Sequence, residues 1–225
     1  ERSSIPTFAI VGYTNAGKST LMNALTQAGV FVEDKLFATL DTTTRKYALP
    51  EGEEVLLIDT VGFIRKLPHH LVAAFKSTLE EALFADILLN VVDISDPAVF
   101  DHVETTFEVL KELNADERPI IHLLNKSDLL TDRSILTKFR LKYPHTVELS
   151  ALHQTGFSEL LLKMKEELSK RRLKVTVKIP QQEYALVSEA IRSGNVLHTD
   201  YSENDVILIV ELPQQLAAKF KPYMI

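Results

Sequence analysis

Gly12-Tyr13-Thr14-Asn15-Ala16-Gly17-Lys18-Ser19 satisfies the pattern G-x-x-x-x-G-K-[ST] at every fixed position, with Thr20 following it. An apolar run, Thr7 to Val11, precedes it and a segment of helical character, Ser19 to Gln27, follows, which is the context the pattern requires. Glycines let the backbone curl so that successive N–H groups face phosphates, and a helix N-terminus adds positive potential. Lys18 then offers a point charge to β- and γ-phosphates, and the Ser19 hydroxyl can ligate Mg²⁺. The plainer reading, a strand-to-helix turn matching by chance, does not account for that context.

Three further signals follow in order. Asp59-Thr60-Val61-Gly62 comes after an apolar run; its Asp can hold a magnesium shell and its Gly N–H can approach a γ-phosphate. Asn125-Lys126-Ser127-Asp128 also ends an apolar run. The Asp128 carboxylate can accept from guanine N1–H and N2–H₂, a donor pair adenine lacks, and a buried carboxylate left unpaired rejects the wrong base. Ser150-Ala151-Leu152 can present backbone N–H to guanine O6. Each string alone reads equally well as a strand-end turn; their order behind a complete phosphate loop points to a GTPase. Between the first two lies Val30 to Arg45, including Phe37-Ala38-Thr39-Leu40-Asp41, where a threonine can complete the Mg²⁺ shell while the γ-phosphate is present. Thr42, Thr43 and Thr44 compete with Thr39 for that role on spacing alone.

The elements that must position these residues alternate. Thr7 to Val11, Glu54 to Ile58, Ile87 to Val92, Pro119 to Leu124 and Thr146 to Leu149 are short, aliphatic and apolar on both faces, as strands of a buried parallel sheet are. Helical spacing occupies Leu71 to Phe84, Phe100 to Leu113, Ile135 to Tyr143 and Phe157 to Arg172. An α/β P-loop GTPase fold with a mostly parallel central sheet is expected, with an antiparallel edge strand over Arg45 to Leu49. The texture then changes: strand Lys174 to Ile179 stopped by Pro180, helix Gln182 to Arg192, then strands Val196 to Tyr201 and Val206 to Glu211. That helix should bury Tyr184, Val187 and Ile191 and be capped by Gly194, and a last helix should begin at Leu216 to Phe220. We expect a GTPase domain over residues 1–172 and a small βαββ-type α+β module over 173–225.

Composition excludes several classes. Among 225 residues, 45% are hydrophobic and 25% charged, an ordinary globular balance that argues against collagen, coiled coil and wholesale disorder. With no cysteine there are no disulfides, thiolate zinc sites or cysteine nucleophiles. No stretch approaches the length of a membrane span and no leader is visible, so a cytoplasmic protein is expected. The net charge of −6 divides into 20 Lys+Arg against 25 Asp+Glu through residue 172 and 5 against 6 beyond it, so neither part is a basic arm for nucleic acid.

The strings GYTNAGKST, LFATLD, NKSD and SAL, and above all DTVGFIRKLPHHLVAAFKSTLEEALFAD over Asp59 to Asp86, resemble the HflX family of translation-factor-class GTPases. The part from roughly Val177 to Phe220 is similar to that family's small C-terminal domain, so the resemblance covers nearly the whole chain. It implies that Thr39 is the magnesium threonine; Thr42 departs from the proline relatives often carry there. It also implies a protein that binds GTP and hydrolyses it to GDP, associates with the large ribosomal subunit (rRNA and proteins) and, in some members, splits stalled ribosomes. Such proteins carry a further N-terminal domain, so this chain is expected to be a monomeric fragment whose full ribosome binding needs that domain.

Ras-like GTPases place a glutamine after D-x-x-G to orient the attacking water. Here the position is Phe63, followed by Ile64, and neither can bond water. Slow intrinsic hydrolysis is therefore expected, carried by Lys18, Thr39 and Gly62 with Mg²⁺ and accelerated by the ribosome. Asn15 could hold K⁺ beside the phosphates or simply satisfy loop backbone. His69-His70 reads as solvent-facing rather than metal-binding, and His122 as an interior imidazole. Glu80-Glu81 and the charges from Lys163 to Arg172 read as solvated faces; Phe8, Phe75, Phe84 and Phe107 are core candidates, and Phe31 and Phe37 belong with the first switch. The competing class is a non-catalytic GTP-sensing module in ribosome assembly or regulation, motivated by the missing glutamine.

Overall fold

A computed structural model describes residues 5–26, 43–50, 52–60, 62 and 84–225. The expected helix Leu71 to Phe84 lies outside these apart from its last residue, as do Phe31, Phe37 to Thr42, Val61, Phe63, Ile64, the His69-His70 pair, Phe75 and Glu80-Glu81. The chain divides into two compact units, Pro6–Lys165 and one built on Glu166–Ile225.

In the larger unit, six strands lie in the order β2-β3-β1-β4-β5-β6. They are β1 (Thr7–Val11), β2 (Thr43–Ala48), β3 (Glu54–Asp59), β4 (Ile87–Asp93), β5 (Ile120–Asn125) and β6 (Thr146–Glu148). β2 pairs antiparallel with β3, Thr43 opposite Asp59, while β1 pairs parallel with both β3 and β4, and β4–β5–β6 continue parallel. The central strands are buried along nearly their whole length, which is why they read as unbroken aliphatic runs. Among the described residues the helices of this unit are α1 (Lys18–Thr26), α2 (Val99–Glu112), α3 (Ser134–Lys142) and α4 (Phe157–Ser169). One core cluster joins Ala9, Val11 and Leu88 of the sheet to Leu110 of α2; another joins Val92 and Leu124 to Val103 and Phe139.

β1, β3, β4 and β5 all run in one direction, so their C-terminal ends, where Gly12, Asp59, Asp93 and Asn125 stand, share one rim of the sheet. Loops at that rim are where open α/β sheets place ligands.

The smaller unit is a βαββ arrangement: β7 (Arg172–Pro180), α5 (Tyr184–Ser193), β8 (Asn195–Ser202) and β9 (Asp205–Pro213), all antiparallel in the order β7-β9-β8. A short helix, α6 (Gln214–Ala217), and a 3-10 stretch close it, burying Phe220 with Val177, Leu208 and Val210. Several sequence expectations need correction. Helix α4 ends at Ser169, earlier than Arg172, because Arg172 already pairs with Pro213. Pro180 closes β7 from within, opposite Asp205. On α5 the buried residues are Val187 and Ala190, whereas Tyr184 and Ile191 flank that stripe and are exposed. Gly194 caps the C-terminus of α5 as expected, in an extended conformation, its N–H donating to the Ala190 carbonyl at 2.9 Å. Phe84 is 66% exposed and leaves the core, and Glu167 leaves the solvated set, 7% exposed and accepting from Lys170 Nζ at 2.6 Å.

Candidate functional site

Gly12 to Ser19 form the turn from β1 into α1. Gly12 has φ +137°, and a Cβ there would stand 2.3 Å from the Val91 carbonyl oxygen, so the turn needs glycine on two counts. Asn15, exposed, takes a left-handed φ of 61°, which Asn tolerates better than most residues. Lys18 is buried at the start of α1 and its Nζ donates to the Gly12 carbonyl at 3.2 Å and the Tyr13 carbonyl at 3.0 Å. Burial pushes its ammonium down to about 8, against the opposing pull of the Asp59 carboxylate. Thr14 and Ala16 are buried, Gly17 and Thr20 half-buried.

Ser19 Oγ donates to Asp59 Oδ2 at 2.8 Å, so a hydroxyl from α1 and a carboxylate from the end of β3 converge. Two hard oxygens with few competing carboxylates suit a cation that keeps most of its shell for phosphate and water. Among the described residues no group of three or more His, Cys, Asp or Glu side chains forms an alternative metal cluster. Thr60 turns away from this point, its hydroxyl donating to the Ile10 carbonyl at 2.7 Å. Gly62 lies directly on the loop: a Cβ there would meet Thr14 Cα at 2.7 Å and Lys18 Nζ at 3.0 Å. Phe37, Ala38, Thr39, Leu40, Asp41 and Val61 fall outside the described residues.

Asn125 joins the two halves of the site. Its Nδ2 donates to the Ala16 carbonyl at 2.8 Å, and its Oδ1 accepts from Ala151 N–H at 2.9 Å. One buried carboxamide thereby ties the phosphate loop to the Ser150-Ala151-Leu152 loop. Ser150 and Ala151 are buried, Leu152 is 74% exposed, and Ser150 exchanges backbone bonds with Thr155. Lys126 adopts φ 62°, and Ser127 N–H donates to the Leu149 carbonyl, so Asp128 is carried on a short 3-10 turn. Direct contacts thus join Ser19 to Asp59, Gly62 to Thr14 and Lys18, and Asn125 to Ala16 and Ala151.

It also adds residues that spacing could not reveal. Lys126 Nζ lies 2.7 Å from Asp93 Oδ2, and Asp93 Oδ1 accepts from Ser95 N–H and Oγ. His153 Nε2 is 3.6 Å from Asp128 Oδ2. The Tyr13 ring stacks on His102. The Asp ending the Ile87 to Val92 run is the one sequence signal that could have pointed to any of these.

Residues 7–126 match the family model described as 50S ribosome-binding GTPase. A GTPase HflX from Chlamydia pneumoniae is 50% identical over 223 residues, 99% of this chain and 47% of that protein. GTPase HflX from Escherichia coli K12 is 41% identical over 215 residues, 94% of this chain and 50% of its own length. The chain thus spans about half the length of these curated relatives. A GDP-complexed GTP-binding protein from Sulfolobus solfataricus superposes with TM-score 0.58 at 32% identity, over 72% of this chain and 52% of that one. Era, in complex with MgGDPNP and nucleotides 1506–1542 of 16S ribosomal RNA, superposes with TM-score 0.58 at 25% identity, over 72% and 56%. The chain belongs to the family of 50S ribosome-binding GTPases and, within it, to the HflX GTPases.

Proposed function

We propose that the chain binds GTP and hydrolyses it to GDP and phosphate in the cytoplasm, as the GTPase part of a monomeric protein acting on the large ribosomal subunit. The observation that carries this reading is the Asn125 carboxamide, which fastens the phosphate loop to the Ser150-Ala151-Leu152 loop so that one ligand can span both. Gly12 to Thr20 offer backbone N–H groups to the phosphates, and Lys18 leaves the Gly12 and Tyr13 carbonyls for β- and γ-phosphate oxygens. Ser19 and Asp59, with Thr39, would hold Mg²⁺, which supplies charge neutralisation across the phosphates when bound. Thr60 anchors the segment leading to Gly62, which lies against Thr14 and Lys18 and would offer its N–H to the γ-phosphate, while Asn125 to Asp128 with Ser150 to Leu152 would hold the guanine. Asn15, exposed at a left-handed φ of 61°, is compatible both with K⁺ ligation and with a loop-forming role.

Water attacks the γ-phosphorus in line, the bond to the β–γ bridging oxygen breaks and GDP leaves. With Phe63 where a water-orienting glutamine would stand, this step is slow until a partner supplies the orientation. Single-turnover hydrolysis with and without large subunits tests the reading: acceleration by the subunits is expected, and equal rates would overturn it. Phe63 equally motivates a non-catalytic GTP sensor, which predicts no phosphate release over hours under multiple turnover. Splitting of stalled ribosomes is the finer proposal, read as subunit separation on a sucrose gradient.

A further inference from the structure

Between the phosphate loop and helix α2 lies a pocket of about 210 Å³, lined by Thr14, Asn15, Asn90, Val103 and Thr106 among others. Among the described residues, the loop meets α2 on this side through discrete contacts. One such contact is the Tyr13–His102 stack, with ring centroids 3.8 Å apart and planes inclined by only 7°. It crosses from the loop to the first turn of α2.

The His102 ring and the Tyr13 backbone each have further contacts. Asp96 Oδ1 accepts from Ala98 N–H at 2.8 Å, and Asp96 Oδ2 lies 3.7 Å from His102 Nδ1, so the residue that shapes the entry to α2 also faces the imidazole. His102 N–H closes the first helical turn on the Ala98 carbonyl. On the loop side, the Tyr13 carbonyl accepts both from Lys18 Nζ at 3.0 Å and from Ala16 N–H at 3.3 Å. These bonds fix the backbone of the residue whose ring stacks on His102. The adjoining residue, Thr14, is the one on which Gly62 rests.

We propose that His102 is a positioning residue for the phosphate loop, acting through the Tyr13 ring to hold the loop in its nucleotide-binding shape and slow nucleotide release. This rests on the reading of Gly12 to Ser19 as the nucleotide site. Release requires the loop to loosen around the phosphates; a ring clamped to α2 opposes that motion, while a free ring does not. Tyr13 and His102 are both only half-buried, so removal of the stack should change how long nucleotide stays more than how the chain folds.

The test is dissociation of a fluorescent GDP analogue, chased with excess GDP, from the full chain and from His102→Ala, Tyr13→Ala, their combination, and His102→Phe. Loss of a stacked aromatic pair corresponds to roughly 3- to 10-fold faster release. His102→Ala and Tyr13→Ala should each show it, the double variant should be no faster than Tyr13→Ala, and His102→Phe should return towards the parent rate because it keeps the ring. Should His102→Ala fail to fold, His102→Gln removes the ring while keeping a good helix former. Unchanged release, multiplying effects in the double variant, or no rescue by phenylalanine would overturn the brace. Failure of the parent chain to bind the analogue at all would instead overturn the nucleotide-site reading and the brace with it.

Discussion

Asp128 isolates the assignment of the base. Its carboxylate sits on a 3-10 turn beside His153 at 3.6 Å, within a site whose neighbouring loops are fastened by Asn125. Replacing one carboxylate oxygen by an amide nitrogen turns the acceptor for guanine N2–H₂ into a donor, which complements the C2 carbonyl that xanthine presents, while the remaining oxygen still accepts from N1–H. Asp128→Asn should weaken GDP by about 100-fold or more, since bonds to a charged group contribute about 1.5–3 kcal/mol each, and should gain affinity for xanthosine diphosphate. Isothermal titration with both nucleotides reads this directly, and unchanged GDP preference would remove Asp128 from the base site. At this scale Lys18, Ser19, Asp59 and Asn125 were legible in sequence because phosphate and metal chemistry forces both residue type and local spacing. His102 and His153 were not, because their contacts with Tyr13 and Asp128 join segments remote in the chain and leave no local pattern.

At the scale of elements, the aliphatic runs of β1, β3, β4 and β5 made the parallel sheet readable, since strands covered on both faces have little choice but Val, Ile and Leu. The polar breaks in those runs are more telling. Asn90 of β4 and His122 of β5 lie side by side in register, both buried, with Asn90 Nδ2 3.1 Å from His122 Nδ1. The imidazole is ringed by Phe107, Phe139 and Tyr143, and burial together with nearby His145 pushes its pKa down to about 4. The folded chain thus binds this proton less readily than the unfolded chain, whose histidine titrates near 6.5. The stabilising contribution of keeping His122 neutral is full above pH 6.5 and is lost as pH falls towards 4, by roughly 3 kcal/mol in all. His122→Phe should cost about 1–2 kcal/mol at pH 7.5, because Asn90 loses its partner, yet show a shallower fall in melting temperature between pH 6.5 and 4. Parallel acid profiles for the two chains would show that His122 does not titrate as its surroundings dictate.

For the whole molecule the question is whether nucleotide energy reaches both units. Every described residue assigned to the nucleotide lies within Pro6–Lys165, while the cluster around Val177, Leu208 and Phe220 is built from residues of Glu166–Ile225 alone. Charge does not distinguish the two parts as binders of RNA, since each is near neutral or acidic. The change of texture after Arg172 was legible because an amphipathic α+β module alternates polar and apolar where the buried sheet does not. We propose that residues 1–172 and 173–225 are separate folding domains. A ligand stabilises only the cooperative unit that binds it, so GDP at about 100 times its dissociation constant adds about 2.7 kcal/mol to that unit and nothing to an independent neighbour. Calorimetry of the full chain should then show two transitions, of which GDP raises one and leaves the other in place. A chain ending at Arg172 should retain the GDP-sensitive transition alone. A single transition that moves as a whole with GDP would mean that the smaller unit depends on the larger for its stability, and the proposed division would fall.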